Sequence, residues 1–306
     1  MIFSEKKVAF GRHETFQLRY SWLTKGFLEL KKNPKIFSSD DATVKLGVGK
    51  NMVNSIRYWL QAAQIVTLEK GEYKITPLGE SIFGDKGFDT YLEDEATIWL
   101  VHWLLTSNPA MATSWYWYFN YFHKPEFTNK DVVDSLHSFA KQHIVSKFTL
   151  ATLKKDVDII LRMYSHSKVN TKQSIEDSLD SPLSLLNLVS HLPDIKSYYS
   201  FPEERNKIPL GVIGFAVMSV FEEIKSDSIP IENLMYMKGK HPALGAIFRM
   251  TESSLLAKLE LLARYIPNTL EMREDAGIHQ LHRLEKRKPI EYLKKHYNDE
   301  QLKVAA

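Results

Sequence analysis

Hydrophobic residues recur at helical spacing along most of the chain, and this pattern predicts a mainly α protein. The first predicted helix covers residues 20–32, where the apolar positions share one face and Asn33-Pro34 follows as a terminator. A short helix ending near Leu46 and a longer one from about Lys50 to Ala63 flank Gly47-Val48-Gly49, which predicts a tight turn. The chain therefore opens with three helices, the last two joined by a turn.

Two short runs rich in β-branched residues follow the third helix. Residues 65–68 and 73–75 flank the charged turn Glu69-Lys70-Gly71-Glu72, a pattern typical of a β-hairpin. Thr76 and Pro77 then occupy the N-cap and the first position of another predicted helix. Helix, turn, helix and hairpin in this order are the arrangement of a winged helix-turn-helix, so we predict a DNA-binding domain of this type over residues 1–90.

Beyond this domain the hydrophobic spacing predicts a larger all-helical region over residues 91–306, with a further boundary in the polar stretch 165–175. The aromatic run at residues 115–122 is denser than one helix face can hold, so we expect most of it in the core and some of it against a partner chain or DNA. The helices predicted in the second half are Ser181–Leu192, Pro209–Ser226, Ile231–Lys238, Thr251–Tyr265 and Pro289–Tyr297.

The helix predicted from Lys50 has two chemically different sides. At ~100° per residue, Val53, Ile56 and Leu60 fall together and should face the core. The residues on or beside the other side are of types that pair with base edges or bind phosphate, and they form the predicted DNA-binding set: Lys50, Asn51, Asn54, Ser55, Arg57 and Tyr58. Residues 1–90 carry fourteen Lys or Arg against ten Asp or Glu, a balance of +4 beside the +3 of the whole chain. The alternative is a winged helix used for protein contacts, with a solvated polar face.

The densest group of catalytic residue types is Arg12-His13-Glu14, with Arg19 nearby. His13 or Glu14 could take part in proton transfer or metal binding while the arginines bind phosphate oxygens. Alternatively, His13 and Glu14 anchor the segment that precedes the first helix. The residues alone leave both interpretations open.

A second group consists of the carboxylates Glu176, Asp177 and Asp180, which could hold Mg²⁺ for phosphodiester cleavage. The alternative is that Asp180 or Ser181 caps a helix that Pro182 begins. The basic segment 283–295 near the C-terminus could contact phosphate or form a solvated helix.

The composition excludes several classes of site and compartment. The chain has no cysteine, which excludes disulfides, thiolate zinc sites and a cysteine nucleophile, and which fits a cytoplasmic protein. The sequence also lacks the HExxH zinc motif and the Walker phosphate-binding loop. Its longest apolar run, residues 208–221, is shorter than the ~18 residues of a membrane span and predicts a buried helix, so no membrane partner is expected.

Several segments resemble the motifs of one bacterial protein family. They are residues 10–16 (FGRHETF), 18–25 (LRYSWLTK), 46–53 (LGVGKNMV), 56–59 (IRYW), 175–183 (IEDSLDSPL) and 275–278 (DAGI). The family was long described as a domain of unknown function and occurs beside genes for DNA phosphorothioate modification, in which sulfur replaces a non-bridging phosphate oxygen. The segments extend over almost the whole chain.

The resemblance implies the DNA-nicking component of the single-stranded phosphorothioation system, which serves in anti-phage defence. It also implies DNA as the substrate, Mg²⁺ as a helper in cleavage, and three partners: a sulfurtransferase, an ATPase and a cysteine desulfurase. The sequence leaves open whether the protein forms a homodimer. Two further hypotheses are a non-catalytic DNA-recognition or adaptor subunit and a winged-helix transcriptional regulator.

Overall fold

The N-terminal elements follow one another in the order predicted from the sequence. The computed structural model of the chain describes residues 2–166, 181–192, 196–238, 241–275 and 277–305. The first elements are α1 Tyr20–Lys32, α2 Ala42–Leu46, α3 Lys50–Ala62, β1 Val66–Glu69, β2 Glu72–Ile75 and α4 Pro77–Phe83. The two strands form an antiparallel hairpin in which Val66 pairs with Ile75.

Local chemistry explains where these elements begin and end. Gly47 ends α2 in the left-handed region at φ +65°, which redirects the chain into α3. Thr76 caps α4, since its Oγ1 accepts the Gly79 N–H at 3.0 Å, and Pro77 fills the first helical position. The apolar faces of α1 and α3 pack against each other, and α3 also contacts β1 of the hairpin.

Helices also dominate the chain after residue 90. They are α5 Glu95–Thr106, α6 Thr113–Tyr121, α7 Asn129–His143, α8 Leu150–Tyr164, α9 Leu210–Ile224, α10 Ile231–Met235, α11 Leu244–Ile247, α12 Glu252–Tyr265 and α13 Pro289–Ala305. The protein is therefore mainly α, as predicted.

The prediction that this region is all-helical was wrong, because it contains two three-stranded antiparallel sheets. The strands are β3 Glu126–Phe127, β4 Ser190–Leu192, β5 Ser197–Tyr199, β6 Ser228–Pro230, β7 Leu270–Asp275 and β8 Ile278–Arg283. In place of the helix predicted at Ser181–Leu192 there is a short 3₁₀ turn, Pro182–Leu186, followed by β4. The strands β3 to β6 have two or three residues each and are too short to leave a period-two pattern in the sequence. The six-residue strand β8 was missed for a different reason, because its apolar residues Ile278 and Leu281 are three positions apart and not two.

The chain forms two compact units, one of residues 4–118 and 124–200 and the other of residues 1–3, 119–123 and 201–306. Residues on both sides of position 90 belong to the first unit, and the domain predicted over residues 1–90 stays a prediction. Most of the second predicted boundary, 165–175, lies outside the described residues. None of the helices in the described part combines the length and hydrophobicity needed to cross a membrane.

The aromatic run of α6 belongs to the core. Trp115, Tyr116, Trp117 and Tyr118 are all at most 3% exposed. Tyr121 is the exception in the helix, at 38%. The run therefore stabilises the fold and offers little aromatic surface to DNA or to a second chain.

Candidate nucleic-acid interface

The segment before α1, residues 5–18, forms an N-terminal arm that lies against both α8 and α3. The Val145 N–H donates to the Glu5 carbonyl at 3.2 Å, just before α8. Farther along, the Gly11 N–H donates to Asp156 Oδ1 at 2.8 Å, and Ser55 Oγ on α3 donates to the His13 carbonyl at 3.1 Å. The arm thus joins two helices that are distant in sequence.

His13 fastens the arm to α8 through a buried pair. Its side chain is fully buried, and Nε2 lies 2.9 Å from Asp156 Oδ1. The Thr15 N–H donates to His13 Nδ1 at 3.1 Å, so the proton of a neutral imidazole sits on Nε2 and is donated to Asp156. The other carboxylate oxygen, Asp156 Oδ2, accepts from Ser114 Oγ at 2.5 Å. Both nitrogens of the ring are therefore occupied by groups of the protein itself.

Aromatic rings enclose the imidazole. Trp59 stacks on it with centroids 6.2 Å apart, and Trp115 meets it edge-on at 5.8 Å. Trp59 Nε1 also donates to the Phe16 carbonyl at 3.2 Å, which fixes the arm a second time. Burial raises the pKa of the neighbouring Tyr58 well above its usual value, the charge of Asp156 raises it further, and Arg12 opposes both effects. Tyr58 therefore stays protonated at neutral pH.

The four residues of the predicted catalytic cluster do not converge on one point. His13 faces inward, whereas Arg12 and Glu14 are exposed on the outer side of the same turn. Arg19 is half-buried, with its guanidinium over the Trp22 ring at 5.2 Å. A fully buried imidazole cannot reach a phosphodiester in this conformation, and the geometry favours the interpretation of His13 as an anchor.

The turn that carries His13 has an unusual backbone. Gly11, Glu14 and Thr15 all have positive φ, at 65°, 50° and 65°. The left-handed region is costly for a β-branched residue such as Thr15, by about 1–3 kcal/mol, and persists only where the surroundings enforce it. The bonds from His13 to Asp156 and Thr15 provide that enforcement. As a result Arg12, Glu14 and Thr15 are held at the surface.

The exposed face of α3 is narrower than the sequence predicted. Lys50 and Asn51 are exposed and Asn54 and Arg57 are half-buried, while Val53, Ile56 and Leu60 are buried as expected. The predicted exposure of Tyr58 was wrong, since it is only 5% exposed, and Ser55 is fully buried as well. Both lie where the arm covers one flank of α3, a contact that helical periodicity does not reveal.

Arg57 extends the exposed face toward the hairpin. Its guanidinium lies over the ring of Tyr73 on β2, 5.9 Å from the centroid. The polar surface therefore runs from the first turn of α3 to the second strand of the hairpin.

Asp156 and Ser114 were missed by the sequence analysis, although Asp156 left a signal. In α8 it falls among Leu153, Val157 and Ile160, which are all fully buried, so an ionisable side chain stands on the apolar face of the helix. A carboxylate in that position needs a buried partner, and His13 provides one. Ser114 left no comparable signal.

No group of three or more His, Asp or Glu side chains suited to a metal ion occurs among the described residues. The predicted Mg²⁺ ligands Glu176, Asp177 and Asp180 lie outside that part of the chain, so their role stays a prediction. Ser181 does act as a cap, because its Oγ accepts the Leu183 N–H at 3.4 Å at the start of the turn that Pro182 begins.

Comparison with known proteins gives one family and two similar structures. A family model described as "Protein of unknown function (DUF4007)" matches residues 10–297. A magnesium ion-bound SspB crystal structure is 28% identical, with a TM-score of 0.84, over 95% of this chain and 88% of that chain. A second SspB crystal structure is also 28% identical, with a TM-score of 0.81, over 96% of this chain and 87% of that chain. No curated protein sequence gave a significant match.

Proposed function

Because the chain belongs to the DUF4007 family and is similar to SspB over nearly its whole length, we propose that it is a DNA-binding component of a bacterial DNA phosphorothioate-modification and anti-phage defence system. The observation that supports DNA binding is the exposed start of α3, where Lys50 and Asn51 lie immediately after the turn from α2. In this proposal α2, α3 and the hairpin act as a winged helix-turn-helix.

The roles of the side chains follow from their positions on α3. In helix-turn-helix proteins the N-terminal residues of the second helix contact base edges in the major groove. Asn51 has the amide that pairs with adenine, and Lys50 supplies a point charge for a phosphate. The first turn of α3 contains no acidic residue, so the positive end of the helix dipole also favours a phosphate there. In this proposal Arg57 contacts the phosphate backbone of the DNA beside the hairpin.

We expect Lys50→Ala to weaken binding to all DNA sequences alike, because a phosphate contact is lost. The plot of log affinity against log salt should become flatter by about one unit. Fluorescence anisotropy with a labelled duplex at several salt concentrations measures both quantities. Lys86→Ala removes an exposed lysine after α4 and is the matched control. If the salt slope of Lys50→Ala equals that of the wild type, Lys50 does not contact a phosphate.

We further propose that the protein nicks one DNA strand with Mg²⁺. The support is a structural relative that is described as bound to magnesium, together with the carboxylates predicted at Glu176, Asp177 and Asp180. A bound Mg²⁺ would supply charge stabilisation at the phosphodiester and an activated water. Among the described residues, the buried His13 is held away from that task by Asp156 and Thr15.

A supercoiled-plasmid assay with Mg²⁺ or with EDTA tests nicking. The protein with Mg²⁺ should convert the plasmid to open circles. The triple variant Glu176→Gln, Asp177→Asn, Asp180→Asn should lose about 100-fold or more in rate, because changing even a hydrogen-bond partner of a metal ligand costs roughly 10–100-fold. Asp85→Asn, at an exposed carboxylate after α4, is the control. Wild-type nicking by the triple variant would exclude these ligands. A wild-type protein without Mg²⁺-dependent nicking would favour the adaptor hypothesis.

The remaining partners follow from the same proposal. A protein that prepares DNA for sulfur insertion acts beside the sulfurtransferase, the ATPase and the desulfurase of the system. A transcriptional regulator, the other hypothesis for a winged helix, would bind DNA through α3 without any of these partners.

A further inference from the structure

A basic surface lies at the junction of α7 and α8, outside the helix-turn-helix. The sequence from residue 135 to residue 155 contains no Asp or Glu, and its four lysines are all exposed: Lys141, Lys147, Lys154 and Lys155. The other end of α7 is different, because Lys124 and Lys130 form ion pairs with Asp131 and Asp134 at 3.0 and 2.7 Å. Acidic residues therefore pair with the lysines at the start of α7, whereas the stretch around the junction has no acidic residue.

The N-terminal arm adds to this surface. Its exposed cations are Lys6, Lys7 and Arg12. Two hydrogen bonds hold the arm to the junction, from the Val145 N–H to the Glu5 carbonyl at 3.2 Å and from Ser146 Oγ to the Lys6 carbonyl at 3.3 Å. Phe10 also lies against Phe148, with ring centroids 6.3 Å apart. The arm and the junction therefore form one surface, which we name the basic strip (Lys6, Lys7, Arg12, Lys141, Lys147, Lys154 and Lys155).

The charge of the basic strip is large for this protein. Residues 4–18 and 135–155 contain seven Lys or Arg and two acidic residues, Glu5 and Glu14. The resulting +5 exceeds the net +3 of the whole chain, so the rest of the molecule is acidic on balance. An excess of one sign confined to one surface attracts a polyanion and speeds its association.

The arm that carries part of the basic strip is also bonded to α3. From Arg12 the arm enters the turn where His13 bonds Asp156, and the His13 carbonyl then accepts from Ser55 on α3. Asn51 lies one helical turn before Ser55, about 6 Å along the helix axis. Two buried hydrogen bonds through His13 thus join the arm and α8 to α3.

We propose that the basic strip binds the backbone of the same duplex whose groove receives α3. This inference rests on the proposed function and extends it, because it places the duplex along the arm toward the α7–α8 junction. Lysines on flexible stems bind phosphates without reading bases, so the strip sets affinity and orientation while α3 reads sequence. The buried His13–Asp156 pair fixes the angle between the two contacts.

The test uses the full chain with all four junction lysines changed to glutamine. Lys141→Gln, Lys147→Gln, Lys154→Gln and Lys155→Gln together should lower affinity for a duplex of about 30 base pairs by roughly 100-fold and flatten its salt slope by about 2–4 units. A duplex of about 10 base pairs, one turn of DNA, spans only the contact with α3, and its affinity should change by less than about threefold. Melting temperature checks that the variant is folded.

The control carries an equal loss of charge elsewhere: Lys86→Gln, Lys124→Gln, Lys130→Gln and Lys207→Gln, all at exposed lysines. It should keep the wild-type preference for the longer duplex. The inference is overturned, with the proposed function intact, if Lys50→Ala weakens both duplexes while the junction variant binds the longer one as the wild type does. Equal weakening by junction and control variants overturns it too. A wild-type protein that binds neither duplex overturns the proposed function itself.

Discussion

Asp156→Ala should destabilise the unit of residues 4–118 and 124–200 by about 3–5 kcal/mol, the usual cost of removing one member of a buried pair. The carboxylate accepts hydrogen bonds from Gly11, His13 and Ser114, and it is only 1% exposed. Its removal leaves all three donors without this acceptor, and two of them, on His13 and Ser114, are fully buried. Urea denaturation measures the free energy of unfolding. Because each kcal/mol lowers the Tm of a unit of this size by about 2–4 °C, the Tm should fall by roughly 10 °C.

Two further variants separate the anchor from general damage to the core. Asp156→Asn keeps the shape and one acceptor oxygen, so it should cost less than the alanine variant. His13→Ala should lower the free energy of unfolding by about 1–3 kcal/mol. The double variant His13→Ala, Asp156→Ala should lose less than the sum of the two single losses, and the difference, the coupling energy of the pair, should be about 0.5–3 kcal/mol. If His13→Ala abolished nicking with Tm unchanged, His13 would be catalytic and the anchor interpretation would be wrong.

Gly11→Ala should be destabilising by about 2–4 kcal/mol for two separable reasons. Gly11 has φ +65°, a conformation that costs an alanine about 1 kcal/mol. A Cβ at this position would also lie 2.7 Å from Thr152 Cγ2 on α8. Moving the two groups apart costs about a further 1–3 kcal/mol. Thr152 cannot easily turn away, because its Oγ1 is bonded to Thr149 Oγ1 at 2.8 Å.

Gly47→Ala is the matched control for the backbone effect. Gly47 has the same φ of +65°, but a Cβ there meets no atom within 4 Å. It should therefore cost only about 1 kcal/mol, and Thr152→Ser should recover the steric part in Gly11→Ala without helping Gly47→Ala. Equal losses at Gly11 and Gly47 would mean that the arm does not lie against α8 as described.

Local patterns in the sequence determined the elements that surround α3. Its buried residues Val53, Ile56 and Leu60 recur at helical spacing, Gly47 marks the turn before it, and Thr76 with Pro77 marks the helix after the hairpin. These features depend on neighbours within a few positions along the chain, and such information is present in the order of the residues. The family motifs, which extend over almost the whole chain, were likewise readable in the sequence.

Tertiary structure alone decided that Ser55 and Tyr58, on the polar side of α3, are buried. Ser55 and Tyr58 have the periodicity of a solvated face, but the arm covers them because His13 pairs with Asp156, 143 positions away. The basic strip is assembled from residues 4–12 and 135–155 in the same way, since like charges gather there only after the arm has docked on the α7–α8 junction. Hydrogen bonds and burial between distant segments have no period along the chain, and so they become visible only once the fold has brought the segments together.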